Sequence, residues 1–289
     1  MRIGIGLPAA VPGAAGAAVG DWAETAEAYG FTALSTLDRL VYDSLDPLVA
    51  LGAAAARTAR VELMTTVLTV AYRQNPVVLA KQLASVDRLS GGRLTAGLAL
   101  GGWPADYAAS RVSERGRGAV FDDMLGTMRR VWAGEVSGAS GPIPALPPGR
   151  PGLLLGGLAP AAFARVAATA DGWVAPFFGY DLLISAVAGV RRAWADAGRL
   201  GAPRVVVERY FSLGPDADAT ADHYLDHYYG AEYFQAVRAD TLTTTQQVRD
   251  EVDRLRDAGC DDLLLFPCSA DLEQLTRLAG VFDTVGAFR

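Results

Sequence analysis

Several residues that carry common chemistries are scarce in this sequence, and each shortage closes a route. There is one lysine, and the 289 residues include two histidines and two cysteines. Lys81 falls inside a segment with helical spacing, so the strand-end lysine that an aldolase needs is missing. His223 and His227 stand four apart in ADHYLDHYY. That spacing can put two imidazoles on one helix face, but no glutamate completes an HExxH and no third ligand is evident, so no metal is expected. With both histidines in one helix, no Ser–His–Asp or Cys–His nucleophile is visible. Cys260 and Cys268 bracket one predicted strand, too far apart to bridge, and are expected as free, mostly buried thiols.

Long runs are missing too. No apolar stretch reaches the roughly 20 residues that span a bilayer. The N-terminal MRIGIGLPAAVPGAAGAAVG is broken by Pro8, Pro12 and glycines, unlike a signal peptide, and a cytoplasmic protein is expected. No lysine- or arginine-rich segment occurs, and the net charge is −6 with a pI of about 5.0. Nucleic acid and anionic membrane surfaces are therefore not expected as partners.

What the chain has is apolar mass, at 51% of residues, enough for strands buried on both faces. It divides into eight strand–helix alternations. Strands are predicted at 2–8, 31–36, 61–70, 93–100, 153–157, 172–176, 204–213 and 261–266. Helices are predicted at 17–29, 47–57, 76–89, 118–133, 160–169, 182–197, 220–238, 245–258 and 272–285. Phe121, Met124, Leu125, Met128 and Trp132 recur on a helical period. A Gly- and Pro-rich loop fills 134–152, and an extra helix follows strand seven. Eight parallel strands with crossover helices predict an α/β fold, a (β/α)8 TIM barrel, as one domain over 1–289. An open doubly wound sheet is the alternative, and the lack of a glycine fingerprint after strand one counts against it.

The most informative segment is 65–107, TTVLTVAYRQNPVVLAKQLASVDRLSGGRLTAGLALGGWPADY. Its order of strand, helix and strand, and the wording RxNPxxLAKQ…DRLSGGRLxxGLxLGGW, resemble the bacterial-luciferase-like monooxygenase family. The resemblance implies a flavin- or deazaflavin-dependent oxidoreductase with its site at the C-terminal strand ends. Reduced FMN (FMNH2) acting with oxygen on a small organic substrate is the first expectation. Coenzyme F420, with hydride transfer, is the second. A non-catalytic flavin-binding protein is a third, and a phosphosugar isomerase or aldolase on an unrelated barrel a fourth. A flavin reductase and a homodimer are the partners expected.

The resemblance also assigns positions. Gly156-Gly157-Leu158-Ala159, where strand five feeds a helix, matches the family's phosphate-holding turn, and backbone N–H groups at a helix start suit an anion. Thr66-Val67 matches a bulge with a non-prolyl cis peptide beneath the flavin ring. Gly101-Gly102 stands where luciferase carries an arginine, which removes one cationic clamp on a phosphate. After strand two the family commonly shows Ser-Asp-His, and this chain has Leu37-Asp38-Arg39. Arg39 stays protonated and cannot act as a base near neutrality. It is expected to face an anionic flavin or substrate with Asp38 orienting it, or else to form an ordinary ion pair with Asp38. Trp103, Tyr107, Phe177, Phe178 and Tyr210 are candidates to line an apolar substrate cavity, and the aromatic helix after strand seven to form its lid or wall. Glu208 lies within strand seven rather than beyond it and is set aside.

Overall fold

In the computed structural model, which describes residues 1–14, 16–143, 146, 151–176 and 179–283, the alternation closes on itself. The barrel strands are β1 (Arg2–Gly6), β2 (Ala33–Thr36), β3 (Glu62–Thr69), β4 (Leu94–Ala99), β7 (Gly152–Gly156), β8 (Gly172–Val174), β9 (Arg204–Phe211) and β10 (Asp262–Pro267). All pair in parallel, and β10 returns to β1 with Ile3 opposite Leu263 and Ile5 opposite Leu265. This is a (β/α)8 TIM barrel, and the open-sheet alternative falls.

The helices are α1 (Ala18–Ala28), α2 (Pro47–Arg57), α3 (Pro76–Leu89), α4 (Pro104–Ser110), α5 (Arg117–Trp132), α6 (Pro160–Thr169), α7 (Tyr180–Asp196), α8 (Ala217–Ala239), α9 (Thr245–Asp257) and α10 (Glu273–Asp283). Their starts follow local chemistry. Asp46 caps α2 by accepting from the Leu48 and Val49 amides, and Asn75 caps α3 through Val77 and Val78, each with proline at the first position. Thr244 and Gln247 form a reciprocal capping box on α9. Gly91 and Gly92, at φ +72° and +85°, turn the chain out of α3. On α5 the five periodic side chains are all buried, each contributing about 2 kcal/mol of apolar transfer.

Three features depart from the sequence reading. A short helix, α4, occupies what was expected to be loop, and its Asp106 accepts from the Leu40 and Val41 amides. A hairpin of β5 (Ser137–Gly138) and β6 (Gly141–Pro142) stands in the Gly/Pro-rich segment, of which 144–145 and 147–150 lie outside the described residues. Helix α8 breaks at Gly230, where φ is +64° and ψ 177°. The expected end of the last helix at 285 also lies outside the described residues.

The N-terminal end of the barrel is sealed by charge. Arg204 reaches Glu62 at 2.7 Å and Asp262 at 2.8 Å, and Arg2 joins both carboxylates. Those paired carboxylates raise the Arg204 guanidinium above its usual range despite its burial. The opposite end is open, and the cavities described below are there.

Candidate functional site

At the end of β3 the Thr66–Val67 peptide is cis, as the family resemblance implies. The β3–β4 register shifts between Thr65 and Leu68 at the same place. Thr65 Oγ1 donates to the Gly97 carbonyl at 2.7 Å and accepts from the Gly97 amide at 3.0 Å. A Cβ on Gly97 would stand 2.1 Å from the Thr65 carbonyl oxygen, so this approach of two backbones requires glycine. The Thr66 hydroxyl lies 2.6 Å from that of Ser35, and both are buried.

Beyond β3, β4 and β7 lies a cavity of about 620 Å³ bordered by Val67, Gly101, Gly102 and the 156–159 turn. Gly157 takes φ +125°, and Ala159, the cap position of α6, offers no side-chain acceptor to the first amides of that helix. Pro160 has no N–H and the Ala162 and Phe163 amides donate to the Ala159 carbonyl, so the α6 start offers an anion its partial positive charge and at most the Ala161 amide. Two arginines that sequence reasoning passed over line the same end, Arg117 and Arg165. Arg165 is held by Asp122 at 2.6 Å and by the Gly118 carbonyl at 3.2 Å, which lowers the Asp122 carboxyl below its usual range. Arg117 donates to the Tyr107 hydroxyl at 2.9 Å. Cations from α5 and α6 thus border the same cavity as Gly101-Gly102. A Cβ on Gly102 would meet nothing within 4 Å, so that glycine leaves the wall bare.

A second chamber of about 320 Å³ shares Val67, Gly101, Gly102, Pro176 and Glu208 with the first. Trp103, Tyr228, Tyr229, Tyr233 and Val237 close it from above, so α8 is its wall. Of the other aromatics expected there, Tyr107 is turned away to donate to the Leu100 carbonyl at 2.6 Å. Tyr210 lies behind Tyr229, their hydroxyls 3.1 Å apart. Phe177 and Phe178 are outside the described residues.

Asp38 and Arg39 do not pair. The Asp38 carboxylate accepts from the Thr69 amide at 2.8 Å and from Arg73 at 3.1 Å. Burial raises its pKa, against the pull of Arg73 and the Thr69 amide. Arg39 points the other way, into an aromatic box. Its guanidinium carbon is 3.8 Å from the Trp103 centroid, 4.9 Å from Tyr42 and 5.1 Å from Tyr228, and it donates to the Tyr228 carbonyl. Asp38 borders the tyrosine chamber, while Arg39 borders a separate groove of about 520 Å³ with Asp46 and Arg73. Burial pushes the Tyr42 hydroxyl up to about 12. His227 Nδ1 bonds the Tyr42 hydroxyl at 2.8 Å. Among the described residues, no group of three or more His, Cys, Asp or Glu could hold a metal.

Glu208 is the residue that sequence reasoning set aside and the fold brings in. Its side chain is 3% exposed and borders both chambers. Oε1 has no hydrogen-bond partner among the described residues. Burial raises the carboxyl well above its ordinary range, and the Thr66 hydroxyl and Arg209 guanidinium oppose this only in part. Arg209 pairs through Nε with Glu251 at 2.7 Å and through Nη1 with the Glu208 backbone carbonyl, and its buried Nη2 has no partner among the described residues. Parity in VVVERYF carried the missing signal. Val206 and Tyr210 share the barrel's inner cluster, whereas Val205, Val207 and Phe211 belong to the outer one, so 208 points inward.

A closed parallel barrel with its cavities at the C-terminal strand ends defines the enzyme class of TIM barrels. Residues 1–268 match the family model described as luciferase-like monooxygenase, and the chain belongs to that family. It is 33% identical over 174 residues to an uncharacterised protein of Mycobacterium tuberculosis H37Rv, covering 56% of this chain and 61% of that one. The match thus spans less than two thirds of that relative's length. Over 89 residues it is 33% identical to an F420-dependent glucose-6-phosphate dehydrogenase of Gordonia bronchialis, covering 29% of this chain and 26% of that protein. A monooxygenase from Streptomyces bottropensis superposes with a TM-score of 0.79 at 24% identity, covering 98% of each chain, which speaks for the fold. Among the described residues, no helix is long and apolar enough to cross a membrane.

Proposed function

We propose that this chain is an F420-dependent oxidoreductase that exchanges a hydride with a small organic substrate in the tyrosine-lined chamber. One observation carries the reading. An anion-accepting end, with the positive start of α6, Arg117 and Arg165, is continuous with an apolar chamber through a wall of Val67, Gly101 and Gly102. That layout suits a phosphate-bearing ring coenzyme on one side and a second reactant on the other. The 156–159 turn and the two arginines would hold the phosphate, and the bare backbone at Gly102 would face the ring. The choice of F420 is supported by the Gordonia relative, whose name gives that coenzyme.

When bound, the coenzyme would supply a hydride in its reduced form, F420H2, or accept one as F420, and the reduced form reacts poorly with oxygen. The chain's share is to orient, to exclude water and to manage the proton. An apolar cavity of about 150 Å³ takes one benzene-sized molecule, so a chamber of about 320 Å³ suits a substrate of one or two rings. The second reading, a monooxygenase using reduced FMN with a flavin reductase as partner, is favoured by the family's description. Arg117 and Arg165 would serve a terminal FMN phosphate equally well.

Fluorescence titration of the purified protein with F420, F420H2, FMN and FMNH2, followed by single-turnover mixing with oxygen, separates the readings. F420 should bind roughly tenfold or more tightly than FMN, a gap of about 1.4 kcal/mol, with slow reoxidation of bound F420H2 in air. Tight FMNH2 binding with rapid oxygen consumption would favour the monooxygenase. Binding without turnover on any substrate would mark a holding protein.

A further inference from the structure

We propose that Glu208 is the acid of this site, and that it gives its proton to the oxygen of a carbonyl substrate held in the chamber; this rests on the oxidoreductase reading above. Geometry singles it out. Glu208 stands at the junction of the two cavities, and Oε1 is buried and unpartnered among the described residues. The other carboxyl bordering the chamber, Asp38, is committed to Arg73 and the Thr69 amide. A buried carboxyl with an uncommitted oxygen favours its neutral form where the nearby cation, here Arg209, offsets burial only in part, and a neutral carboxyl can donate.

The groups facing Glu208 leave it in that state. From its own strand, Arg209 is paired with Glu251. From α8, the Tyr229 hydroxyl is uncharged, its own pKa raised by burial. From the loop after β2 comes Asp38, whose carboxylate is already held by Arg73 and the Thr69 amide. From β3, Thr66 brings only a hydroxyl.

The step balances simply. The hydride would come from a C–H bond of F420H2, which is oxidised to F420 and loses its second proton to solvent; the hydride forms the new C–H bond, the carbonyl π pair moves to oxygen, and that oxygen takes the Glu208 proton. Glu208 is left as a carboxylate and regains a proton from solvent. Alcohol oxidation runs the same transfers backward.

Two measurements test this on the full-length protein. Infrared difference spectra of wild type against Glu208→Gln at pH 7, without coenzyme, should show a protonated-carboxyl band that the variant lacks. The absence of that band overturns the proposal whatever the coenzyme. Single-turnover mixing of F420H2-loaded protein with a panel of small aldehydes, ketones and enones then reads the transfer. Glu208→Gln should bind F420 within about twofold of wild type yet reduce the best substrate by about 100-fold or more more slowly, the usual scale for a positioned acid. Equal rates overturn Glu208 as the acid while the coenzyme reading stands. If wild type binds F420 but reduces no carbonyl, the proposal falls alone; if it does not bind F420, the reading falls and takes the proposal with it. Because a variant can fail to fold, Glu208→Asp is run beside it. Asp keeps an ionisable proton on a shorter arm and should retain the infrared band and part of the rate.

Discussion

The guanidinium carbon of Arg39 lies 3.8 Å from the centre of the Trp103 ring. This contact ties the loop after β2 to the start of α4, and Tyr42 and Tyr228 complete the box around the charge. Arg39 therefore fixes the roof of the tyrosine chamber from outside it. A cation held against aromatic faces away from water contributes up to about 2 kcal/mol. Arg39→Ala should lower unfolding stability by about 1–3 kcal/mol in urea titration, allowing for the lost hydrogen bond to Tyr228. Coenzyme affinity should stay within roughly threefold, since truncation far from the coenzyme end changes no contact there. A collapse in coenzyme affinity with unchanged stability would instead put Arg39 in the coenzyme site.

Asp38 depends on Arg73. Arg73→Met leaves a buried carboxylate with one backbone donor and should cost about 3 kcal/mol, at the low end for breaking a buried pair because Arg73 is partly solvated. The double variant Asp38→Asn, Arg73→Met should recover part of that loss. Denaturant titration of the four-member cycle gives the coupling, and a value near zero would show that the pair is not a unit.

Gly102 and Arg165 probe the coenzyme end without breaking the barrel. Gly157 is a poor probe, since its φ is +125° and an added Cβ would meet that of Ala162 at 2.8 Å. A side chain on Gly102 enters open space. Gly102→Asp should fold normally and lose anionic coenzyme through repulsion and bulk. Arg165→Met should weaken it by about tenfold or more, the scale of one charge-assisted hydrogen bond. Coenzyme titration with both variants checks this, and unchanged affinities would move the phosphate elsewhere.

The buried Glu208 carboxyl gives stability a pH dependence of known sign. Its folded pKa lies well above the ordinary carboxyl range, because burial penalises the charged form. Below the unfolded pKa both states hold the proton and nothing is lost. As pH rises past it, the unfolded chain ionises while the folded one does not, so stability falls until the folded pKa is reached, by at most about 1.4 kcal/mol per pH unit. Glu208→Gln lacks this loss. The Tm of the variant minus that of wild type should therefore grow from pH 4 to pH 8, and a flat difference would mean that Glu208 is ionised in the fold.

Gly97→Ala would force a methyl against the Thr65 carbonyl oxygen. Overpacking of this kind costs about 1–3 kcal/mol. A melting temperature equal to wild type would show that β3 and β4 yield there more easily than the contact implies.

Much of the architecture could be read from local signals, because it is written in them. Asn75-Pro76 opens α3, Ser90-Gly91-Gly92 closes it, and the spacing from Phe121 to Trp132 sets the buried face of α5. Each depends on residues a few positions apart, and the eightfold repetition of such units leaves few ways to close a sheet. The tight turn at Gly157 and the bulge at Thr66–Val67 were likewise legible through the family resemblance, since one short segment carries each. What escaped the sequence was pairing across the barrel. Asp38 chose Arg73 over its chain neighbour Arg39, because adjacent side chains diverge at a strand end and a partner 35 residues away can be brought within 3.1 Å. Arg165 reached the coenzyme end from the first turns of α6, and α4 formed where only a loop was expected. Glu208 looked like an interior strand residue, and it is one. Only closure of the barrel turned that interior into the floor of a cavity and left a carboxyl there without a partner among the described residues. A sequence states which side chains exist and how each local turn bends; burial and electrostatic environment belong to the tertiary structure, because they depend on atoms from every strand at once.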